Sequence, residues 1–348
     1  MTDLAIPEGP EGLSADWLAA ALGEAVASVE VTRIGQEEGF TGGGLYRLVM
    51  PGRSLVAKVS PTDPDMRARF AIANAREVTF YTDWSEGLPV PVAHYGDFDA
   101  ASGASVLLLD DLGDARSVPF VEGLWPRDVA SVVAAFAKVH AAWWNAPALE
   151  TLSGAAILDE FTMSGPWPDY VASVAKLLPD VVIPPEFIAL GDYAAEHSAE
   201  ILQHMKEQGP LTVLHRDPQL DNILFAEDGA ALLIDWQVFG KGRGTWDLAY
   251  FLISSVPSVR RRKHERTWVE AYHTALTEQG VTGYSLEDCW RDYLRSVLAK
   301  LFLTVVVTVE LDNSTPHKRA YRRADLARLM AFIKDHQLTP AIWDFSHD

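Results

Sequence analysis

From residue 45 to residue 109 the apolar positions come in short runs separated by turn residues. Residues 45–50 and 54–60 alternate or run apolar on either side of Pro51-Gly52-Arg53, which is the pattern of a β-hairpin. Over residues 66–84, Phe70, Ala73, Val78, Tyr81 and Trp84 recur at helical spacing. Two further strands are expected at 91–98 and 104–109, and the polar stretch Asp110-Asp111-Leu112-Gly113-Asp114 closes the run. Ahead of it, residues 18–22 read as a small helix capped near Ser14. After it the period lengthens. Residues 128–144 carry Val129, Val132, Val133, Phe136, Val139 and His140 on one stripe, with Pro126 suited to the first turn. Residues 259–276, 286–311 and 318–334 read as further helices. In the middle of this helical region lies a second short hairpin. Val213-Leu214, 222–225 and 231–234 are strand-like, and Glu227-Asp228-Gly229 is a turn. The expectation is an α+β chain in two parts. Residues 1–111 form a β-rich lobe with a leading helix, and residues 112–348 form a larger, mainly helical lobe.

Composition narrows the class without naming a chemistry. At 348 residues the chain exceeds a usual single domain, and 48% hydrophobic with 22% charged is ordinary for a globular enzyme. The longest apolar run, 301–309, lies between Lys300 and Glu310 and is far shorter than the ~20 residues that span a bilayer. It reads as core. No basic segment followed by an apolar one opens the chain, so a cytoplasmic, membrane-free protein is expected. One cysteine, Cys289, excludes an intrachain disulfide and reads as an inert, buried thiol. The formal net charge of −19 argues against nucleic acid as a partner. It suits a cationic acceptor, and it equally suits plain solubility. The basic runs 260–266 and 317–323 read as solvated helix faces, with an anionic acceptor as the alternative. Nothing in the chain marks an obligate protein partner.

The chemistry concentrates in His215-Arg216-Asp217-Pro218-Gln219-Leu220-Asp221-Asn222 and in Ile234-Asp235-Trp236, with Asp235 thirteen residues after Asn222. Phosphoryl transfer needs a carboxylate to orient the attacking hydroxyl and oxygen ligands for Mg²⁺. A kinase loop supplies these as an Asp, an Asn five residues on, and a second Asp after the next strand. The matching residues are Asp217 as catalytic base and Asn222 and Asp235 as metal ligands. His215 is expected to fix the loop, and Asp221 to face solvent or cap. Upstream, Lys58 in Leu55-Val56-Ala57-Lys58-Val59 sits where a kinase places its phosphate-pairing lysine, and Glu77 in the next helix is its natural partner. Gly39-Phe40-Thr41-Gly42-Gly43-Gly44 lies between the first strands. Gly42, Gly43 and Gly44 are candidates to bring backbone N–H groups to phosphates, although the run matches neither common phosphate-loop pattern and a flexible hairpin is the other reading.

These motifs, with Ile234-Asp235-Trp236-Gln237 and Asp247-Leu248-Ala249-Tyr250-Phe251-Leu252, resemble the aminoglycoside phosphotransferase and choline-kinase superfamily, closest to its ecdysteroid-kinase-like branch. The resemblance covers residues 35–252 and is strongest from His215 onward. It implies a two-lobed protein-kinase-like fold, ATP with GTP left open, Mg²⁺, and a small hydroxylated acceptor. It also implies that the hinge around Asp110 and Leu112 meets the adenine ring, and that Asp247 anchors the catalytic loop. Asp247 follows Asp235 by twelve residues, with no Ala-Pro-Glu. That is too short for a protein-kinase activation segment, and it leaves Arg216 without a clear role. The competing readings are a nucleotide-binding pseudokinase or scaffold and a protein kinase. The full set Lys58, Glu77, Asp217, Asn222 and Asp235 counts against the first, and the short segment against the second. The acceptor stays open. Trp143, Trp144, Trp167, Trp236 and Trp246 suit a steroid-like alcohol or a quaternary ammonium, and the acidity suits an aminoglycoside.

Overall fold

The computed structural model describes residues 4–34, 43–152, 163, 165–177, 180–310 and 315–346. Contacts divide the chain into two units. The first is Met1–Ala115 with Ile234–Phe239, and the second is Arg116–Leu233 with Gly240–Asp348. The sequence alone suggested a single boundary between residues 111 and 112; the contacts cut after Ala115 and return a six-residue segment to the first unit.

In the first unit, α1 (Ala15–Leu22) starts where Ser14 Oγ accepts the Trp17 N–H at 3.2 Å and stops at Gly23, whose φ of 68° a side chain would resist. Five strands follow: β1 (Glu30–Arg33), β2 (Gly44–Met50), β3 (Arg53–Val59), β4 (Ala93–Phe98) and β5 (Ser105–Asp110). They form one antiparallel sheet in the order β1-β2-β3-β5-β4. Period-two alternation decides its faces. Tyr46, Leu48 and Met50 of β2 and Leu55, Ala57 and Val59 of β3 are buried with Leu13, Leu18, Val106 and Leu108. The intervening residues, Lys58 among them, therefore point to the other face. Between β3 and β4 runs α2 (Pro64–Thr79), capped by Asp63, whose carboxylate accepts the Met66 N–H at 2.9 Å. A wider π-helical turn, Phe80–Trp84, extends it. The expected helix at 66–84 is thus present, with its last turn re-spaced to bury Phe80, Tyr81 and Trp84. Phe80 stacks on Trp236 with centroids 3.8 Å apart and meets Phe239 edge-on, which explains why 234–239 belongs to this unit.

The second unit is mainly helical. Its elements are α3 (Pro126–Ala142), α4 (Pro166–Leu177), α5 (Pro185–Glu207), α6 (Thr245–Ser255), α7 (Ser258–Glu278), α8 (Leu286–Arg295), α9 (Val297–Glu310) and α10 (Pro316–Asp335). Two ribbons interrupt them. β6 (Thr212–Leu214) pairs with β9 (Gly240–Gly242), and β7 (Ile223–Phe225) with β8 (Ala231–Leu233). The second of these is the expected hairpin. The helix expected over 286–311 is broken at Ser296, whose hydroxyl bonds back to the Asp292 carbonyl at 2.7 Å. Leu301, Phe302, Leu303 and Val305 are buried, as a core segment requires. No helix among the described residues is long and apolar enough to cross a membrane.

The basic run 260–266 is not simply a solvated face. Arg261 is 1% exposed and pairs with Glu265 at 2.7 Å and with Asp335, while Glu265 also accepts from the Tyr293 hydroxyl at 2.6 Å. Such a fully bonded pair is tolerated in the interior because each charge has several partners. Cys289 is buried, and burial pushes its thiol up to about 12. Ellman's reagent is therefore expected to find no reactive thiol in the native protein and one after unfolding. Labelling of the native protein at the rate of a free cysteine would contradict this placement.

Candidate active-site residues

In the first unit β3 presents Lys58 on the face opposite its apolar side chains. Its Nζ lies 2.6 Å from Glu77 Oε2 on α2 and 3.1 Å from Asp235 Oδ1. Burial alone would lower the Lys58 ammonium, but the two carboxylates more than offset it and hold it well above the ordinary lysine value. Glu77 is buried, which pushes its carboxyl up, while Lys58 and the Trp236 backbone N–H oppose that shift. Asp235 follows β8 by two residues with φ of 66°, a left-handed conformation that Asp tolerates better than most residues. It aims its carboxylate at Lys58, and the Gln237 side-chain amide donates to the same oxygen.

In the second unit the loop after β6 carries Asp217 and Asn222. Two consecutive backbone N–H groups, those of His215 and Arg216, donate to the carboxylate of Asp247 on α6, at 2.6 and 2.9 Å. Asp247 is fully buried, and His140 of α3 lies 3.3 Å from it through Nε2 while its Nδ1 meets the Tyr272 hydroxyl at 2.7 Å. Asp247 thus anchors the loop, and His140 is a hydrogen-bonded core histidine. His215 is buried, and its Nδ1 accepts the Asp217 N–H at 3.3 Å, which fixes the loop from within.

Arg216 also gains a role. With φ of 68° it turns its guanidinium over Gly240, where a Cβ would lie 2.5 Å from it, and donates to the Lys241 carbonyl. It secures β9, a strand that Gly240-Lys241-Gly242 does not signal because it carries no apolar period.

The Asp217 carboxylate is held by three side-chain donors. Asn222 Nδ2 and Gln219 Nε2 donate to Oδ2 at 3.1 and 3.2 Å, and the Tyr250 hydroxyl donates to Oδ1 at 3.3 Å. Asn222 Nδ2 also donates to the Asp217 carbonyl at 2.9 Å. Asp221 is exposed in the 3₁₀ turn Leu220–Asn222.

The remaining expected positions are accounted for locally. The Asp110 N–H donates to the Val92 carbonyl, and its carboxylate lies 2.7 Å from His94 Nε2. The Leu112 carbonyl accepts from Ala115 N–H. Gly42 lies outside the described residues. A Cβ on Gly43 would lie 2.7 Å from the Val59 carbonyl, and one on Gly44 2.2 Å from the Tyr46 ring, so Gly43 lets the chain approach β3 and Gly44 leaves room for a side chain of its own strand.

Each unit by itself carries oxygen donors of the kind a hard cation takes. Two carboxylates, Glu77 and Asp235, share one ammonium, and about a third of the Asp235 side chain stays exposed. Asn222 commits its amide nitrogen to Asp217, which leaves the amide oxygen as the acceptor. Among the described residues no group of three or more His, Cys, Asp or Glu forms a metal cage. Mg²⁺ held by one or two protein oxygens and phosphates needs none. Three residues received no role from the sequence pattern: Gln219, Gln237 and Tyr250. Gln219 and Gln237 each stand two residues after a candidate aspartate, and Tyr250 three after Asp247, so proximity in sequence was the available signal.

A family model described as "phosphotransferase enzyme family" matches residues 43–292. A search of curated proteins returned no match. Among solved structures, a candidate aminoglycoside phosphotransferase from Ralstonia eutropha JMP134 superposes with a TM-score of 0.53 at 16% identity, over 93% of this chain and 97% of that one. The choline kinase LicA from Streptococcus pneumoniae superposes with a TM-score of 0.50 at 14% identity, over 87% and 94%. The match to the family model spans well over half of the sequence and takes in Lys58, Glu77, Asp217, Asn222, Asp235 and Asp247; the chain belongs to the phosphotransferase enzyme family.

Proposed function

We propose that the protein is a small-molecule kinase that moves the γ-phosphate of ATP to a hydroxyl of an aminoglycoside, an amino-alcohol or a steroid-like alcohol. The observation that carries this reading is Lys58 held between Glu77 and Asp235. The ion pair with Glu77 is the arrangement by which a kinase fixes a lysine for nucleotide phosphates, and Asp235 beside it is the carboxylate such a site turns to Mg²⁺. Asp217 orients the acceptor hydroxyl and takes its proton. The transition state is largely dissociative, so orientation counts for more than basicity. Asn222 and Asp235 each offer an oxygen to Mg²⁺, which when bound neutralises charge on the phosphates. Gly42, Gly43 and Gly44 and the backbone around Asp110 and Leu112 are assigned to the nucleotide. The net charge of −19 disfavours a nucleic-acid partner, and a cytoplasmic location supplies ATP.

Incubation with ATP, Mg²⁺ and a panel of aminoglycosides, amino-alcohols and sterols is expected to yield ADP and a phosphorylated acceptor in one class. Nucleotide binding without acceptor-stimulated ADP release across the panel would favour a pseudokinase instead.

A further inference from the structure

The carboxylate of an aspartate turns about its last bond with no strong rotamer preference, so packing alone does not decide where its oxygens point. In the second unit that torsion is held from two helices outside the loop. Tyr250, on α6, is buried and donates to Asp217 Oδ1. The Lys300 ammonium of α9 lies 4.7 Å from the centre of the Tyr250 ring, and Asp325 of α10 holds that ammonium at 2.7 Å. On the other oxygen, Asn222 of the loop and Gln219 both donate to Oδ2, and the Gln219 carbonyl accepts from the Tyr321 hydroxyl at 3.0 Å. Tyr321, on α10, is stacked on Phe120 with centroids 3.8 Å apart. Burial first, and nearby carboxylates second, hold both tyrosine hydroxyls well above their ordinary range, so each remains an O–H donor.

We infer that Tyr250 directly, and Tyr321 through Gln219, are positioning residues that clamp the two oxygens of Asp217 and set the direction in which it receives the acceptor hydroxyl. The inference rests on the phosphotransfer reading for its purpose and on the second unit's own geometry for its content. Neither tyrosine needs to touch substrate. Both stand on helices, which hold a group more rigidly than a loop can.

Tyr250→Phe and Tyr321→Phe remove only an oxygen. For ADP release from Mg·ATP, with the acceptor found in the panel or with water, Tyr250→Phe is expected to lower kcat about tenfold, the worth of one hydrogen bond to a charged group. The KM for ATP should stay at the wild-type value, and the unfolding temperature should fall by no more than the few degrees that one lost hydrogen bond costs. Tyr321→Phe should lower kcat by less, and should add nothing in a Gln219→Leu background, because it acts through Gln219. A crystal structure of Tyr250→Phe should show the Asp217 carboxylate turned from its wild-type position. Wild-type kcat in Tyr250→Phe, an unturned carboxylate, or additivity of Tyr321→Phe with Gln219→Leu would each overturn the clamp. A turned carboxylate in a protein that releases no ADP from any donor mixture would leave the clamp standing and sink the phosphotransfer reading.

Discussion

Replacing Asp217 by Asn is expected to lower kcat by about a thousandfold, within the range that a positioned general base contributes. The substitution keeps the size of the side chain and a carbonyl oxygen at Cγ. It removes the negative charge and puts an amide nitrogen where a second acceptor stood. The new amide nitrogen can meet only the Tyr250 hydroxyl, which must then turn to accept, and a neutral oxygen holds the Gln219 and Asn222 donors more weakly than a carboxylate, so the geometry loosens as the basicity disappears. ATP affinity should change little, because in the proposed reading the positive charge facing the phosphates is that of Lys58, which Glu77 and Asp235 hold in place. The split is the informative part. Steady-state kinetics that show a large fall in kcat with KM for ATP unchanged support Asp217 as the group acting on the acceptor. A variant that retains more than about a tenth of wild-type kcat would remove it from that role.

How far these residues could be read from the chain depends on the kind of signal each carries. Lys58, Glu77, Asp217, Asn222 and Asp235 stand out by residue type at fixed spacing, and the hairpin between Asn222 and Asp235 is visible as two short apolar runs on either side of Glu227-Asp228-Gly229. Glu77 was legible as the partner of Lys58, but the second carboxylate on the ammonium needed coordinates, because the Asp235 contact spans 177 positions along the chain. In the antiparallel sheet β2 and β3 were legible because they bury every second residue, whereas β5, buried at five successive positions, shows only as an apolar run. α6 was not, because all eleven of its residues are buried and its apolar pattern has no polar side to reveal a helical period. The break at Ser296 was hidden too, since the residues on either side are apolar at helical spacing and only the hydroxyl's bond to the Asp292 carbonyl marks the joint. Tyr250 received no role because a tyrosine among aromatics looks like core, and Tyr321 because it stands in the basic run 317–323, which reads as a solvated helix face. Their hydroxyl partners, and not their rings, set them apart.

Asp247→Ala is expected to destabilise the second unit by about 3–5 kcal/mol, because it strips a fully buried carboxylate from the groups bonded to it. Two successive backbone N–H groups, of His215 and Arg216, lose their acceptor in a place water does not reach, and His140 loses the partner of its Nε2. Arg216 at φ of 68° is held in that conformation by these bonds, so the strain is no longer compensated once they are gone. Asp247→Asn separates charge and acceptor count from volume. Its single carbonyl oxygen can serve one of the two N–H groups, and its amide nitrogen must then confront the other, so Asn should rescue little of the loss despite fitting the space. Urea denaturation followed by tryptophan fluorescence measures both variants. Stability of either within about 1 kcal/mol of wild type would mean that the loop holds its turn by packing alone, since one unsatisfied buried group by itself costs about that much or more. The same two bonds fix the backbone from which Asp217 projects, so the anchor reaches this loop through covalent geometry: two residues after His215, the Asp217 Cα–Cβ bond leaves the chain in the direction the turn sets, and the side-chain donors then orient the carboxylate.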